Sequence, residues 1–474
     1  VSAELFQDLL SNAWAIVLVV LFFGGSIFVH ELGHFLAARW CGLHVERFSI
    51  GFGPAICSWR GKDGVEYRLS WLPIGGYVTL PQLAAMSEIE GESSIDVADL
   101  PPVTYGRKMF VLVAGAACNI LFALALGTVI WFAGQPTSSP AASTTVGYVA
   151  PTLALENGTA VPSPAHEAGL KVGDVIRAID GTEVTEWIDI LQAIRIGSGR
   201  TATDAPKTVF TVERDGATQE ITVYPQLAGP DQFRRVGIDS GYELLIHEVT
   251  PGGIAAQAGF HAGDEIRTFN GQRVLNVAAY FDAIARQKDL PLTAVVRRGD
   301  AEVTLSIPPR LTDDGLLGMA LTTGYSLSHP TPFKQLTNHV LSTVRTLSSL
   351  INPHSDIDLT KMSGPVGIVR ILHSAAQVSL ITVIMFTILI NVNLAIFNLL
   401  PIPVVDGGQM LFATIGKLRG RALPANFVMA TQSTFVLLLF GMMLYVTVFG
   451  DLRRLVRDLR TEKPSASAPA DAAD

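Results

Sequence analysis

The chain has 474 residues, 49% of them hydrophobic and only 16% charged, against about 25% charged in soluble domains. That shortfall excludes an ordinary water-soluble enzyme, and a formal net charge of -8 gives no support to a nucleic-acid-binding role. The deficit is local: no Asp, Glu, Lys or Arg occurs at residues 9–29, 109–134, 371–405 or 422–450, and the rest of the chain carries a normal charge density.

Each run holds the ~20 apolar residues that a helix rising 1.5 Å per residue needs to cross roughly 30 Å of hydrocarbon. A polytopic α-helical membrane protein with four transmembrane helices follows. The first helix is placed at 9–38. A cleaved leader is the competing reading, but no Lys or Arg precedes the run and no small-residue cleavage site follows it, so the segment is expected to stay. It ends VHELGHFLAARW. His30 and His34, four apart, project from one helix face about 6 Å apart along the axis, a spacing suited to two ligands of one zinc ion. Glu31 lies on the adjacent arc, where a carboxylate can act as base toward an attacking water. The ordinary alternative, two packing histidines, must place two His and one Glu at the membrane-embedded end of a helix, where ionisable groups are costly and usually functional.

A water-facing loop follows at 39–107. Within it GVEYRLSWLPIGGYVTL (64–80) alternates Tyr67, Leu69 and Trp71 ahead of a Pro-Ile-Gly-Gly turn and reads as a β-hairpin, either membrane-associated or plainly soluble. The acidic stretch from Glu88 to Asp99 reads as a flexible loop. The second helix is placed at 108–134.

Between the second and third helices the chain repeats itself: AHEAGLKVGDVIRAIDGTEV from Ala165 returns as AAQAGFHAGDEIRTFNGQRV from Ala255. Each copy reads as a short strand, a Pro/Gly turn, a short helix ending at Ala-Gly, a Gly-Asp turn, an apolar strand and an Asp/Asn-Gly hairpin turn. The pattern resembles tandem PDZ domains, β-rich α+β units placed here at 144–228 and 235–310; a pair of generic small β-domains is the plainer alternative. PDZ domains take an extended peptide onto a sheet edge and cap its carboxylate. Peptide termini are therefore candidate partners, with Val236-Gly237-Ile238 as a candidate carboxylate loop of the second copy.

An amphipathic linker at 330–370 leads to the third helix at 374–408, whose end reads NVNLAIFNLLPIPVVDGGQMLF. A catalytic zinc needs a third protein ligand, and Asp406 is the carboxylate best placed for it. Pro401 and Pro403 stop the helix so that the chain can turn back, and Gly407 and Gly408 allow tight backbone. A helix-capping Asp is the bland reading, and His44 in the polar loop is the other candidate ligand. A loop at 409–427, a fourth helix at 428–450 and a flexible tail at 451–474 complete the chain. Basic residues in the 39–108 segment and at Lys417, Arg419 and Arg421 place both short loops in the cytoplasm and the repeat outside; Arg453, Arg454, Arg457, Arg460 and Lys463 in the tail argue the other way. Cys41, Cys57 and Cys118 offer no disulfide framework.

HELGH in the first helix, NLLPIPVVDGG in the third, four helices and a PDZ pair between the second and third resemble the site-2 protease family of intramembrane zinc metalloproteases, in its bacterial RseP branch, over about residues 12–452. The resemblance implies that His30, His34 and Asp406 bind zinc, that Glu31 is the catalytic base, and that Asn398 of the NxxP motif contacts the substrate backbone. It implies that the hairpin at 64–80 is membrane-reentrant and receives the unwound substrate at its edge, which makes Tyr67, Leu69, Gly75 and Gly76 substrate contacts. MSGPVGI (362–368) matches the family's segment ahead of the third helix. The implied partners are the lipid bilayer and single-span membrane proteins already trimmed by another protease, either anti-sigma factors or remnant signal peptides. The implied setting is a bacterial inner membrane with the PDZ pair on the periplasmic side as a size filter. Two departures stand out: the Gly-Pro usual before the Asn of the second helix is here Gly115-Ala116-Ala117-Cys118-Asn119, and Gln409 stands where a His is common. A membrane-anchored PDZ scaffold would not need His30, His34 and Asp406 together, and a metal transporter has no use for PDZ domains.

Overall fold

The computed structural model describes residues 3–83, 100–155, 159–229, 231–286, 291–309 and 317–461; the acidic stretch 88–99 and the end of the tail, 462–474, lie outside these. The chain forms two compact units, one of Val1–Gly134, His329–Val344 and Leu359–Asp474, the other of Gln135–Ser328 and Arg345–Asp358.

In chain order the long helices are α1 (Ala3–Trp40), α2 (Tyr105–Ala133), α3 (Pro332–Ile351), α4 (Pro365–Val378), α5 (Leu380–Leu399), α6 (Asp406–Arg419), α7 (Ala425–Tyr445) and α8 (Arg453–Thr461). Four stretches are long and apolar enough to cross a membrane: Ala13–Trp40, Tyr105–Ala133, Leu380–Leu399 and Ala425–Arg457. Helices α1 and α2 meet at small residues. A Cβ on Gly33 would lie 2.5 Å from the Ala114 carbonyl oxygen and 3.0 Å from Cys118 Cβ, the close approach that glycine permits between membrane helices. Ala123 and Ile130 of α2 interlock with Ile384, Ile388 and Val392 of α5. Hydrogen bonds fix the register between helices that lipid alone would not drive together. Asn391 of α5 donates to Ser26 Oγ of α1 at 2.8 Å, Thr343 of α3 to Asn393 Oδ1 at 2.6 Å, and Gln335 to the Gly127 carbonyl at 3.0 Å.

Several boundaries differ from the sequence expectation. Ser379 caps α5, accepting from the Thr382 N–H at 3.1 Å, so the third crossing begins at Leu380 rather than 374, and it stops at Leu399 ahead of Pro401. The expected loop at 409–427 is helical as far as Arg419, where Gly420 in left-handed conformation ends α6. The tail is helical as far as Thr461, because a π-helical turn, Val446–Leu452, carries α7 on into α8. In that turn Asp451, 4% exposed, accepts from the N–H groups of Gly364 at 3.1 Å and Gly367 at 2.9 Å, while Arg454 donates to the carbonyls of Lys361 at 2.9 Å and Met362 at 3.2 Å. A Cβ on Gly364 would fall 2.7 Å from Asp451 Oδ2. The glycines of MSGPVGI thus leave room for a carboxylate to cap the start of α4.

Strands β1 (Arg47–Arg60) and β2 (Glu66–Thr79) form the sheet beside α1. Ala55–Arg60 pairs with Glu66–Ser70, and Arg47–Ile50 lies between Glu66–Leu69 and Gly76–Thr79. Pro-Ile-Gly-Gly is therefore a bend within β2, not the turn of a separate hairpin at 64–80. Phe48 and Val78 of this sheet, and Val65 just ahead of β2, share a core with Phe35 and Ala38 of α1.

The second unit holds the repeat, whose ends pair as Gln135–Ser138 against Tyr325–Ser328. In the first copy β3 (Val146–Val149) pairs with β7 (Ile238–Ser240), and β4 (Val175–Ile179), β5 (Thr208–Arg214) and β6 (Ala217–Val223) lie in the order β6–β5–β4. In the second, β8 (Leu244–Val249), β9 (Glu265–Phe269), β10 (Leu292–Arg298), β11 (Ala301–Ile307) and β12 (Met319–Thr323) lie in the order β11–β10–β9–β8–β12. The two Asp/Asn-Gly turns have positive φ at both central residues, 48° and 74° at Asp180-Gly181 and 46° and 74° at Asn270-Gly271, as a two-residue I′ hairpin requires. The two Gly-Asp signatures build one lock twice. Asp174 accepts from Arg214 Nε at 2.6 Å and Nη2 at 2.7 Å, Asp264 from Arg298 Nε at 2.7 Å and Nη2 at 2.8 Å.

One expectation is corrected here. Val236-Gly237-Ile238 belongs to the first copy: Ile238 pairs with Val149, and Val236 and Ile238 share a core with Ile176, Ile190 and Phe210. Its counterpart in the second copy is Leu317-Gly318-Met319, where β12 closes the sheet. Each copy thus extends past 228 and 310 to a closing strand that pairs with the copy's first strand.

Burial pushes the Asp264 carboxyl up, but the Arg298 guanidinium and the His261 N–H outweigh it and hold it below its ordinary value. The lock's stabilisation is therefore complete above the unfolded carboxylate pKa of about 4 and is lost as pH falls through the lower native value. Asp264→Asn is expected to cost about 3 kcal/mol in urea unfolding at neutral pH and to flatten the acid side of the stability profile; an unchanged midpoint contradicts the lock.

Candidate metal centre

His30 and His34, on one face of α1, are each 8% exposed. Their Nε2 atoms converge to 3.1 Å, and Asp406 Oδ2, from the first residue of α6, stands 3.3 Å from both. The three residues offer one ligand atom each within 4.8 Å of one another. Asp406 arrives there because α5 stops at Leu399 and the chain turns through two short bonds, Ile402 N–H to the Leu400 carbonyl at 2.7 Å and Val405 N–H to the Ile402 carbonyl at 3.1 Å. Gly407 and Gly408 serve this turn by their lack of volume. A Cβ on Gly407 would sit 2.5 Å from the Leu399 carbonyl oxygen, and one on Gly408 2.6 Å from Pro403 Cα.

The donor set fits a metal ion. His34 Nδ1–H donates to the Val111 carbonyl at 2.9 Å, so its Nε2 carries a lone pair toward Asp406. Buried acceptors that face one another repel unless a cation lies between them, and Asp406 Oδ2 has no hydrogen-bond partner. Neutral imidazole and carboxylate are the ligands zinc takes in catalytic sites. The side-chain amide of Asn119 reaches His30 Nδ1 at 3.3 Å while its own Oδ1 is buried without a partner. Turned end for end, that amide accepts from His30 Nδ1–H and leaves Nε2 free for a metal. Asn398 of α5 places its amide nitrogen 3.2 Å from His30 Nε2.

A cavity of about 330 Å³ opens on this cluster, walled among others by Glu31, Gly75, Gly76, Asn398 and Gln409. A Cβ on Gly76 would lie 3.0 Å from Glu31 Cγ, so strand and carboxylate face each other directly. Tyr67 and Leu69 lie elsewhere. Tyr67 packs on Phe35 and Phe48 and donates to Asp63 at 2.9 Å; Leu69 is 43% exposed and has Ile50 and Cys57 as strand partners. Glu66–Leu69 is paired on both sides; of the two outer strands, Ala55–Arg60 and Gly76–Thr79, each with one partner among the described residues, it is Gly76–Thr79 that lines the cavity with Glu31. His44 takes no part in the cluster. Gly115 is the residue whose role the sequence did not reveal. A Cβ there would collide with His34 Nε2 and lie 2.7 Å from His30 Cε1.

Two histidines, a glutamate and an aspartate on helices of a multi-pass membrane protein, closing on one small cavity, define a class: a zinc metalloprotease set among membrane helices. The chain belongs to peptidase family M50, whose model matches residues 18–442. It is similar over 94% of its length and the whole of theirs to Protease RseP of Yersinia pestis, at 27% identity, and to regulator of sigma-E protease RseP of Escherichia coli K12, at 28%. The regulator of sigma E protease of Salmonella typhi is 29% identical over the same shares.

Gly115→Ala is expected to force the two imidazoles apart and lower zinc affinity on the order of tenfold or more. Elemental analysis of the purified variant after dialysis against a weak chelator reads this out, and zinc retention equal to wild type contradicts the cradle.

Proposed function

We propose that the protein hydrolyses a peptide bond within or near the membrane-spanning segment of single-span membrane proteins, with His30, His34 and Asp406 as zinc ligands and Glu31 as the catalytic base. The observation that carries this reading is the convergence of His30, His34 and Asp406 at 3.1 to 3.3 Å in a cavity that Glu31 also lines. Zinc, when bound, polarises the scissile carbonyl and makes water a nucleophile at neutral pH. Glu31 takes the proton from the attacking water and passes it to the leaving amine.

A helical substrate hides its peptide bonds in its own hydrogen bonds and must unwind to be cut. Each freed N–H or C=O costs several kcal/mol in lipid unless it finds a partner. The open edge of Gly76–Thr79 and the Asn398 amide offer such partners beside Glu31. Gly75 keeps the approach low: its φ of 121° suits glycine, and any Cβ would run into the Phe52 ring. Anti-sigma factors or remnant signal peptides, trimmed beforehand by another protease, are the substrate class. The names of the relatives, regulators of sigma-E, support the first of these. On this reading the protein lies in a bacterial inner membrane and its repeat, on the periplasmic side, excludes substrates that still carry a bulky domain.

Glu31→Gln is expected to keep its zinc and lose proteolysis by a factor of about 10² to 10⁴. Membrane proteomics of cells carrying that variant should show short single-span fragments absent from wild type, and full activity would sink the assignment. Gly76→Val is expected to keep zinc and slow cleavage at least about tenfold by filling the strip between strand and Glu31. Unchanged turnover in that variant would place the substrate on another edge.

A further inference from the structure

A second cavity of the first unit, about 770 Å³, shares Leu83, Leu112 and Gln409 with the cavity at the metal centre. Its depth in the membrane follows from its walls. Tyr105 and Ala425, the first residues of the second and fourth membrane-crossing stretches, both line it, so it lies at the boundary between hydrocarbon and headgroups. Its charged wall is Lys108, Lys417 and Arg421, and among the described residues no acidic side chain lines it. Phe412, Val428 and Met429 contribute to an apolar wall. Lys417 is set in place by Tyr105: its Nζ stands 4.1 Å from the ring centroid, and the Tyr105 hydroxyl is held by Thr414 Oγ1 at 3.0 Å. The starts of α2 and α7 add the partial positive charge of two helix N-termini.

We propose that this cavity binds an anionic membrane phospholipid, its phosphodiester between Lys108, Lys417 and Arg421 and an acyl chain along the apolar wall. Three cations at the boundary with an apolar wall match the two halves of such a lipid. A peptide fits less well, because sequence flanking a membrane span beside basic loops is itself rich in Lys and Arg, which these cations repel. The shared wall at Leu112 and Gln409 makes the lipid a neighbour of the catalytic cavity, and none of the three cations takes part in the proposed chemistry.

The test uses the full chain, purified with its zinc, stripped of lipid and reconstituted in phosphatidylcholine nanodiscs with increasing phosphatidylglycerol, with bound lipid counted by native mass spectrometry. Wild type is expected to retain one phosphatidylglycerol in preference to phosphatidylcholine. Lys108→Gln, Lys417→Gln and Arg421→Gln are expected to weaken that retention on the order of fivefold for each charge removed, with zinc content unchanged. Retention by the triple variant equal to wild type overturns the proposal. So does equal retention of phosphatidylcholine, or displacement by an equal concentration of inorganic phosphate, which would make the cavity a site for a free anion.

Discussion

Two imidazole nitrogens and a carboxylate oxygen are brought within 3.3 Å of one another where little water can reach them, and their mutual repulsion has to be borne by the scaffold. Three helices share that load. The helical period of α1 sets His30 and His34 on one face. Helix α2 backs them with the Val111 carbonyl, the Asn119 amide and the empty space at Gly115. The start of α6 brings Asp406 from the opposite side. Closeness is itself built in, since Gly33 lets α1 touch the backbone of α2 and the Asn391–Ser26 bond sets α5 in register one helical turn before His30. Any side chain at Gly33 or Gly115 would act on the metal centre without belonging to it.

The same scaffold has to interrupt helices where interruption is expensive. Backbone that leaves the helical ladder at membrane depth must find other partners, and here each break has one from a different helix. The Pro401–Val405 turn receives Gln432 of α7, 6% exposed, which donates to the Pro403 carbonyl at 3.3 Å. The start of α4 receives Asp451. The break at Leu399 is the one the chemistry uses, because only a chain that stops and reverses there can bring a carboxylate from the far end of α5 back to α1.

How much of this is legible in the sequence depends on the range of the interaction. The four crossings and the HExxH spacing are local patterns, read from charge depletion and helical period. Asp406 is nearly as clear, because prolines and glycines around a lone carboxylate after an apolar run announce a turn. Pairings between distant strands leave no such mark. Val236-Gly237-Ile238 reads as the opening of the second copy, and only its pairing with Val149 shows that it closes the first. Alternation through Tyr67, Leu69 and Trp71 reads as a hairpin, and the family resemblance makes Tyr67 and Leu69 substrate contacts, yet whether a strand's edge stays open is decided by the strand beside it, here Arg47–Ile50. Gly115 is silent for another reason: a glycine in an apolar helix looks the same whether it faces lipid, a neighbouring helix or an imidazole.

The missing proline of the second helix now has a physical reading. Gly115 and Asn119 are four residues apart, so they fall on one face of α2, and it is that face which meets His30 and His34. The residue between Gly115 and Ala117 points elsewhere around the helix. A proline there would cost α2 one hydrogen bond of its ladder, whereas Ala116, 1% exposed, keeps the ladder and packs. The two contacts that hold the histidines survive the exchange because neither comes from that position. The working part of the motif is thus the empty space at 115 and the amide at 119, and both are present here with the geometry the metal centre needs.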